Sequence, residues 1–218
     1  MSHTPLVLEF VLLFVAMPLA YRFSPVRIPP LPLLWVVTAY AWWQLLRDSH
    51  FLRAKLWNIA ALSVHLCAIL AIFAVVAALL ALGVRLFAPD LLFGFPRQHP
   101  GLWVLVMLAY PMLSVYPQSL LYRAFFFQRY ESLFHSEWAM ILASAAAFAF
   151  LHIIFRNNLA VALTFAGGLL FAFRYEQTGS LATTAFEHAL YGCWLFTLGL
   201  GRYFYGGTMA SVGAAIRR

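Results

Sequence analysis

A short set of polar side chains interrupts stretches that are otherwise apolar: Glu9, His65, Gln118, Ser119, Arg123, His152, Glu187 and His188. An ionisable residue at the centre of a bilayer costs about 2.5–3.5 kcal/mol on insertion scales unless it faces a cavity or a partner. Buried side chains of this kind therefore mark sites or interhelical bonds. Histidine exchanges a proton near neutral pH, a carboxylate can act as a base, and arginine holds negative charge. Spacing groups them further. Ser119 lies four residues before Arg123, and Gln118 five. Phe148 lies four before His152, and His188 four before Gly192. Residues three or four apart share a helix face, so these are three helix faces that can converge.

The elements that carry them are set by composition. Apolar residues make up 64% of the 218-residue chain and charged residues 10%, against about 25% charged in a soluble domain. A soluble fold would lack the polar surface to cover such a core, whereas a bundle in lipid needs none. The expected class is all-α: a polytopic transmembrane helical bundle. Apolar runs cover 6–21, 31–46, 60–86, 101–116, 138–154, 159–173 and 181–200, which gives about seven membrane helices. Several fall short of the roughly 20 residues that span a bilayer and must borrow flanking residues or lie deep in the bundle. The stretch 118–134, with Arg123, Arg129 and Glu131 among aromatics, reads as a helix partly in the interface or lining a cavity.

Breaks between the runs are chemically explicit. Ser24-Pro25 and Pro29-Pro30 separate the first two, Arg47-Asp48-Ser49-His50 ends the second, and His99-Pro100 precedes the fourth. The last two turns are Arg156-Asn157-Asn158 and Gln177-Thr178-Gly179-Ser180. Small residues at 143–147 and at Gly167 and Gly168 permit close helix approach. The first run has no basic residue before it and contains Glu9, so it reads as a membrane helix rather than a cleaved signal.

The formal charge of +7 is spread between hydrophobic runs and suits lipid headgroups, not nucleic acid. Cys67 and Cys193 lie in apolar runs and offer no disulfide framework. Phosphate-binding glycine loops and cofactor fingerprints are missing, and no duplicated halves suggest a transporter.

The order of an arginine-bearing helix, Phe-x-x-x-His and a second histidine-bearing helix resembles the CAAX-processing/bacteriocin-processing (CPBP, Abi-like) intramembrane proteases. Those carry Glu-Glu-x-x-x-Arg, Phe-x-x-x-His and His-x-x-x-Asn or a variant. The resemblance runs from about 115 to 201 and includes Leu120-Leu121-Tyr122-Arg123-Ala124-Phe125-Phe126-Phe127-Gln128-Arg129-Tyr130. It implies an N-terminal scaffold over 1–100 and a protease-like core over 101–218 in one integrated domain, in a bacterial inner membrane. Arg123 matches the family's arginine, His152 its water-activating histidine and His188 its oxyanion histidine. Gln118 and Ser119 stand where the glutamates would be, and Gly192 stands in place of the asparagine.

Those departures have chemical weight. Gln118 can bond a water but cannot take its proton at neutral pH, and a general base typically supplies about 10²–10⁴-fold in rate. His152 alone, or Glu187 as a substitute carboxylate, would have to serve. Glu187 and His188 project about 100° apart around a helix, so they need not face one cavity. The expected site is thus His152, His188, Arg123, Gln118 and Glu187, with Ser119 as a less favoured nucleophile. No cofactor is expected; zinc on the two histidines plus Glu187 stays open, although no His-Glu-x-x-His spacing is present. The implied partners are membrane lipid and a membrane-associated peptide or protein substrate. The implied activity is endopeptidase cleavage of such a tail, and the alternative is an inactive homologue that binds a peptide or stabilises a partner.

Overall fold

The structure, a computed structural model, describes residues 3–26 and 28–204. The end of the expected 101–218 core, from 205 onward, lies outside the described residues. All regular elements among them are helical. Five helices are long and apolar enough to cross a membrane: α1 (Thr4–Phe23), a third that includes Ile59–Phe87, then Pro100–Leu133, Glu137–Phe155 and Asn158–Thr178. Two more helices of 18 residues each, Pro30–Arg47 and Leu181–Leu198, which are not among those five, bring the long helices among the described residues to seven. In chain order they are α1 (Thr4–Phe23), α2 (Pro30–Arg47), α3 (Ile59–Phe87), α4 (Pro100–Leu133), α5 (Glu137–Phe155), α6 (Asn158–Thr178) and α7 (Leu181–Leu198). The chain is an integral membrane protein.

The helix starts are set by side chains that accept from orphan backbone N–H groups. Asn58 accepts from Ala61, Ser136 from Ala139, Asn157 from Ala160 and Ser180 from Thr183. Gly179 (φ 55°) closes α6 and Gly199 (φ 90°) closes α7 in the left-handed conformation that glycine adopts without strain.

The apolar run 101–116 and the helix expected over 118–134 belong to one element: α4 runs unbroken from Pro100 to Leu133 through Pro111 and Pro117. Wide π-type turns at Pro111–Val115 and Leu120–Phe125 allow this. An i→i+5 bond absorbs an extra residue and re-aims the following side chains without ending the helix. The second of these turns carries Arg123.

The core is built around α4. Phe10 and Phe14 of α1 meet Phe126 and Tyr130 edge to face, with centroids 5.2–5.8 Å apart. The α5–α6 hairpin is the closest pairing: a Cβ on Gly168 would lie 3.1 Å from the Ala145 Cα. That approach is what small residues make possible between membrane helices. Ser180 Oγ donates to the Asn58 carbonyl and Gln128 to Asp48, so the 48–58 segment, the end of α4 and the α6–α7 turn share one face of the bundle. Arg156 donates to the Arg22 carbonyl at the opposite face.

Candidate functional site

Ser119 and Arg123 on α4, His152 at the end of α5 and His188 on α7 gather around the ring of Phe148. The His188 Nδ1 lies 3.3 Å from the Ser119 hydroxyl. The Phe148 ring meets His152 at 4.9 Å and His188 at 5.4 Å between centroids, both edge to face, and Phe171 stacks on His188 at 4.6 Å. All four polar residues are buried.

His152 occupies the last turn of α5, where the helix tightens and is stopped by Arg156 in a left-handed conformation. Its Nδ1 lies 2.8 Å from the Phe148 carbonyl. A carbonyl only accepts, so that nitrogen carries the hydrogen and Nε2 keeps the lone pair. The Phe-x-x-x-His spacing thereby sets the tautomer, because the partner is the carbonyl one turn back.

Arg123 is 1% exposed. It donates to the carbonyls of Tyr122 and Gly168 and to Ser144 over 3.3–3.5 Å, and among the described residues its Nε has no partner. The guanidinium lies over the Phe148 ring at 4.9 Å and nearer than 6 Å to Phe171. Cation–π contact and carbonyl dipoles hold the charge; among the described residues no carboxylate does.

Two of the expected residues lie elsewhere. Glu187 turns away from His188, and its carboxylate takes Arg174 through two bonds, Nε to Oε2 at 2.8 Å and Nη2 to Oε1 at 3.4 Å. His65 and Gln177 approach the same guanidinium at 3.4 Å. The 100° between adjacent helix positions is the reason: Glu187 is directed at Arg174 beside His65 of α3, while His188 is directed at Ser119 of α4 with Phe171 of α6 over its ring. Gln118 donates to Ser114 on its own helix at 2.6 Å, and it is Ser119 that reaches His188. Glu9 is bound by Arg129 at 2.8 and 3.1 Å and by the Tyr130 hydroxyl at 2.9 Å. It serves the α1–α4 contact and meets neither histidine.

Residues outside the sequence-based set also matter. Arg174 is 4% exposed, but it follows the apolar run 159–173 directly and so reads as a flanking charge. Its signal was available: Arg174 and Glu187 straddle the Gly179 turn and so face each other across a hairpin. Tyr110 has no such signal. A Cβ at position 192 would overlap the Tyr110 ring and hydroxyl, so this phenol fills the space that a larger residue at 192 would need.

Glu187, the carboxylate considered with the two histidines for zinc, is bonded to Arg174. Among the described residues no three of His, Cys, Asp and Glu converge as a metal site would require.

A multi-pass helical protein with histidines and an arginine buried together, and with a serine against one histidine, is the class that fold and site define. Residues 99–194 match the family model described as type II CAAX prenyl endopeptidase, Rce1-like. The match covers α4 to α6 and most of α7, hence every member of the cluster, and over it the chain resembles the CAAX-type intramembrane proteases in fold. No curated protein and no solved structure matches the chain.

Proposed function

We propose that this chain is an intramembrane endopeptidase of the CAAX-processing type, seated in a bacterial inner membrane, that cleaves a peptide or protein tail using His152 as the base. The observation that carries this reading is the His152–Phe148 carbonyl bond of 2.8 Å. It leaves an imidazole nitrogen free to take a proton from water in a site where lipid and aromatic rings exclude bulk solvent. In the proposed step, the water oxygen bonds to the scissile carbonyl carbon while its proton passes to His152 Nε2. With the Ser119 hydroxyl donating to His188 Nδ1, the His188 Nε2–H is left as a donor to the developing oxyanion. The buried charge of Arg123 favours that negative charge. Collapse breaks the C–N bond, and His152 returns its proton to the leaving amine. The reaction draws on these side chains and no cofactor. Its substrate is a membrane-associated peptide, with lipid as the surrounding medium.

A second reading is favoured by a specific observation. Among the described residues no carboxylate bonds to either histidine, and Phe171 covers one face of His188. On that reading the protein binds a tail peptide or a partner without cutting it.

Purified protein in detergent or nanodiscs, incubated with a panel of tail peptides, separates the two. Cleavage that His152→Ala abolishes, with peptide binding retained, supports the endopeptidase. Saturable binding with no product, unchanged by Gln118→Glu or Ser119→Glu, supports the binder. Neither product nor binding would remove both readings.

A further inference from the structure

Where α2 and α4 end at the same face of the bundle, a cleft of about 330 Å³ opens between them, lined by Gln44, Leu45, Arg47, Asp48, Gln128 and Arg129 over Phe125. Its walls contain two guanidiniums and one carboxylate, a net charge of +1 by 2 − 1. The acids nearby are already engaged. Asp48 accepts from Gln128 at 2.8 Å through one oxygen and from the His50 N–H at 2.9 Å through the other. Glu9 takes Nε and Nη2 of Arg129, which leaves Nη1 for a further acceptor. Arg47 is exposed, lies 4.3 Å over the Trp43 ring, and has no carboxylate partner among the described residues.

Position supplies the second argument. Arg47 is the last residue of α2, and Arg129 lies in the last turns of α4. Trp43 and the arginines thus form the aromatic and cationic belt found at headgroup depth. A planar guanidinium donates two parallel bonds to phosphate oxygens, a geometry that lysine does not reproduce. Leu45 and Phe125, both buried, lie beneath the floor of the cleft and leave the arginines as its binding groups.

We propose that this cleft is a phospholipid site in which the headgroup phosphodiester is held between Arg47 and Arg129. The site is separate from the histidine cluster and stands whether or not the chain cleaves peptides. By joining the ends of α2 and α4, a bound lipid would brace the helix that carries Ser119 and Arg123.

The test is native mass spectrometry of the full chain, delipidated in detergent and titrated with phosphatidylglycerol, phosphatidylethanolamine or diacylglycerol of the same chains. Both phospholipids are expected to be retained at one copy per chain, and diacylglycerol is not. Arg47→Gln is expected to weaken retention by about tenfold or more, and Arg47→Lys by less. Because Arg47 is exposed, these variants should fold, and an unchanged melting temperature of the lipid-free protein checks it. Arg85→Gln, on the lipid-facing α3, should retain lipid as the parent does. Equal retention in Arg47→Gln, or equal binding of diacylglycerol, overturns the proposal. So does stabilisation by inorganic phosphate that matches phospholipid, which would make this a site for the free anion.

Discussion

Two buried polar regions meet α7 on faces about 100° apart, and they are built on opposite principles. On the face toward α6, Arg174 and Glu187 form a two-bond ion pair with side chains 5% and 0% exposed, and His65 and Gln177 close the shell. Beside α4, among the described residues, Arg123 has no carboxylate and its Nε is left without an acceptor. His188 meets a serine hydroxyl and aromatic rings. The first region is complete as it stands. The second has spare hydrogen-bonding capacity and uncompensated charge, which is what a site held ready for a ligand requires. Ionisable residues in a membrane helix are therefore not equivalent signals of function, because the decisive property is whether charge and donors are already matched.

The contrast can be broken at its strongest point first. Arg174→Ala strands the Glu187 carboxylate in the bundle and should cost about 3–5 kcal/mol of stability, whereas replacing both partners by apolar residues of similar volume should cost far less. Thermal unfolding in detergent reads both; equal losses would show that the pair is not matched in the way described. On the other face, His152→Ala should lower peptide cleavage by about 10²–10⁴-fold while changing the melting temperature little. Ser119→Glu sharpens the same point, since a carboxylate only accepts and would hold the hydrogen on His188 Nδ1, taking the Nε2 donor from the oxyanion. Turnover should fall, and cleavage that proceeds unchanged in this variant would remove His188 from the oxyanion role. Gly192→Ala should cost about 1–3 kcal/mol through overlap with the Tyr110 ring, and Tyr110→Ala in the same chain should relieve it. The smallest effect concerns Asp48, outside the membrane helices. Partial burial works to raise its carboxyl, but the His50 N–H and the Gln128 amide outweigh this and hold it below the usual carboxylate range. A depressed folded-state value means that the α2–α4 link is intact above the ordinary aspartate range and weakens as pH falls through the lowered one. Melting curves through the acid range should show a small loss that Asp48→Asn lacks.

The sequence was most informative where chemistry is local. Apolar runs bounded by proline, asparagine, serine and glycine marked nearly every helix, because capping and breaking depend on neighbouring residues. It was least informative along α4, where the apolar run 101–116 and the aromatic stretch 118–134 read apart although one helix carries both. Wide turns inside a long helix leave no simple pattern, since neighbouring helices decide whether the freed backbone groups are satisfied.

For the site, spacing alone placed Ser119 with Arg123 and fixed the hydrogen-bond partner of His152, as i and i+4 relations survive any packing. Composition alone placed the chain in a membrane. Only the tertiary structure assigned Glu187 to Arg174 and His188 to Ser119, gave Glu9 to Arg129, and seated Tyr110 over Gly192. Those choices depend on which helix lies against which face. Side-chain sequence states the faces, but the packing of seven helices determines what each face meets.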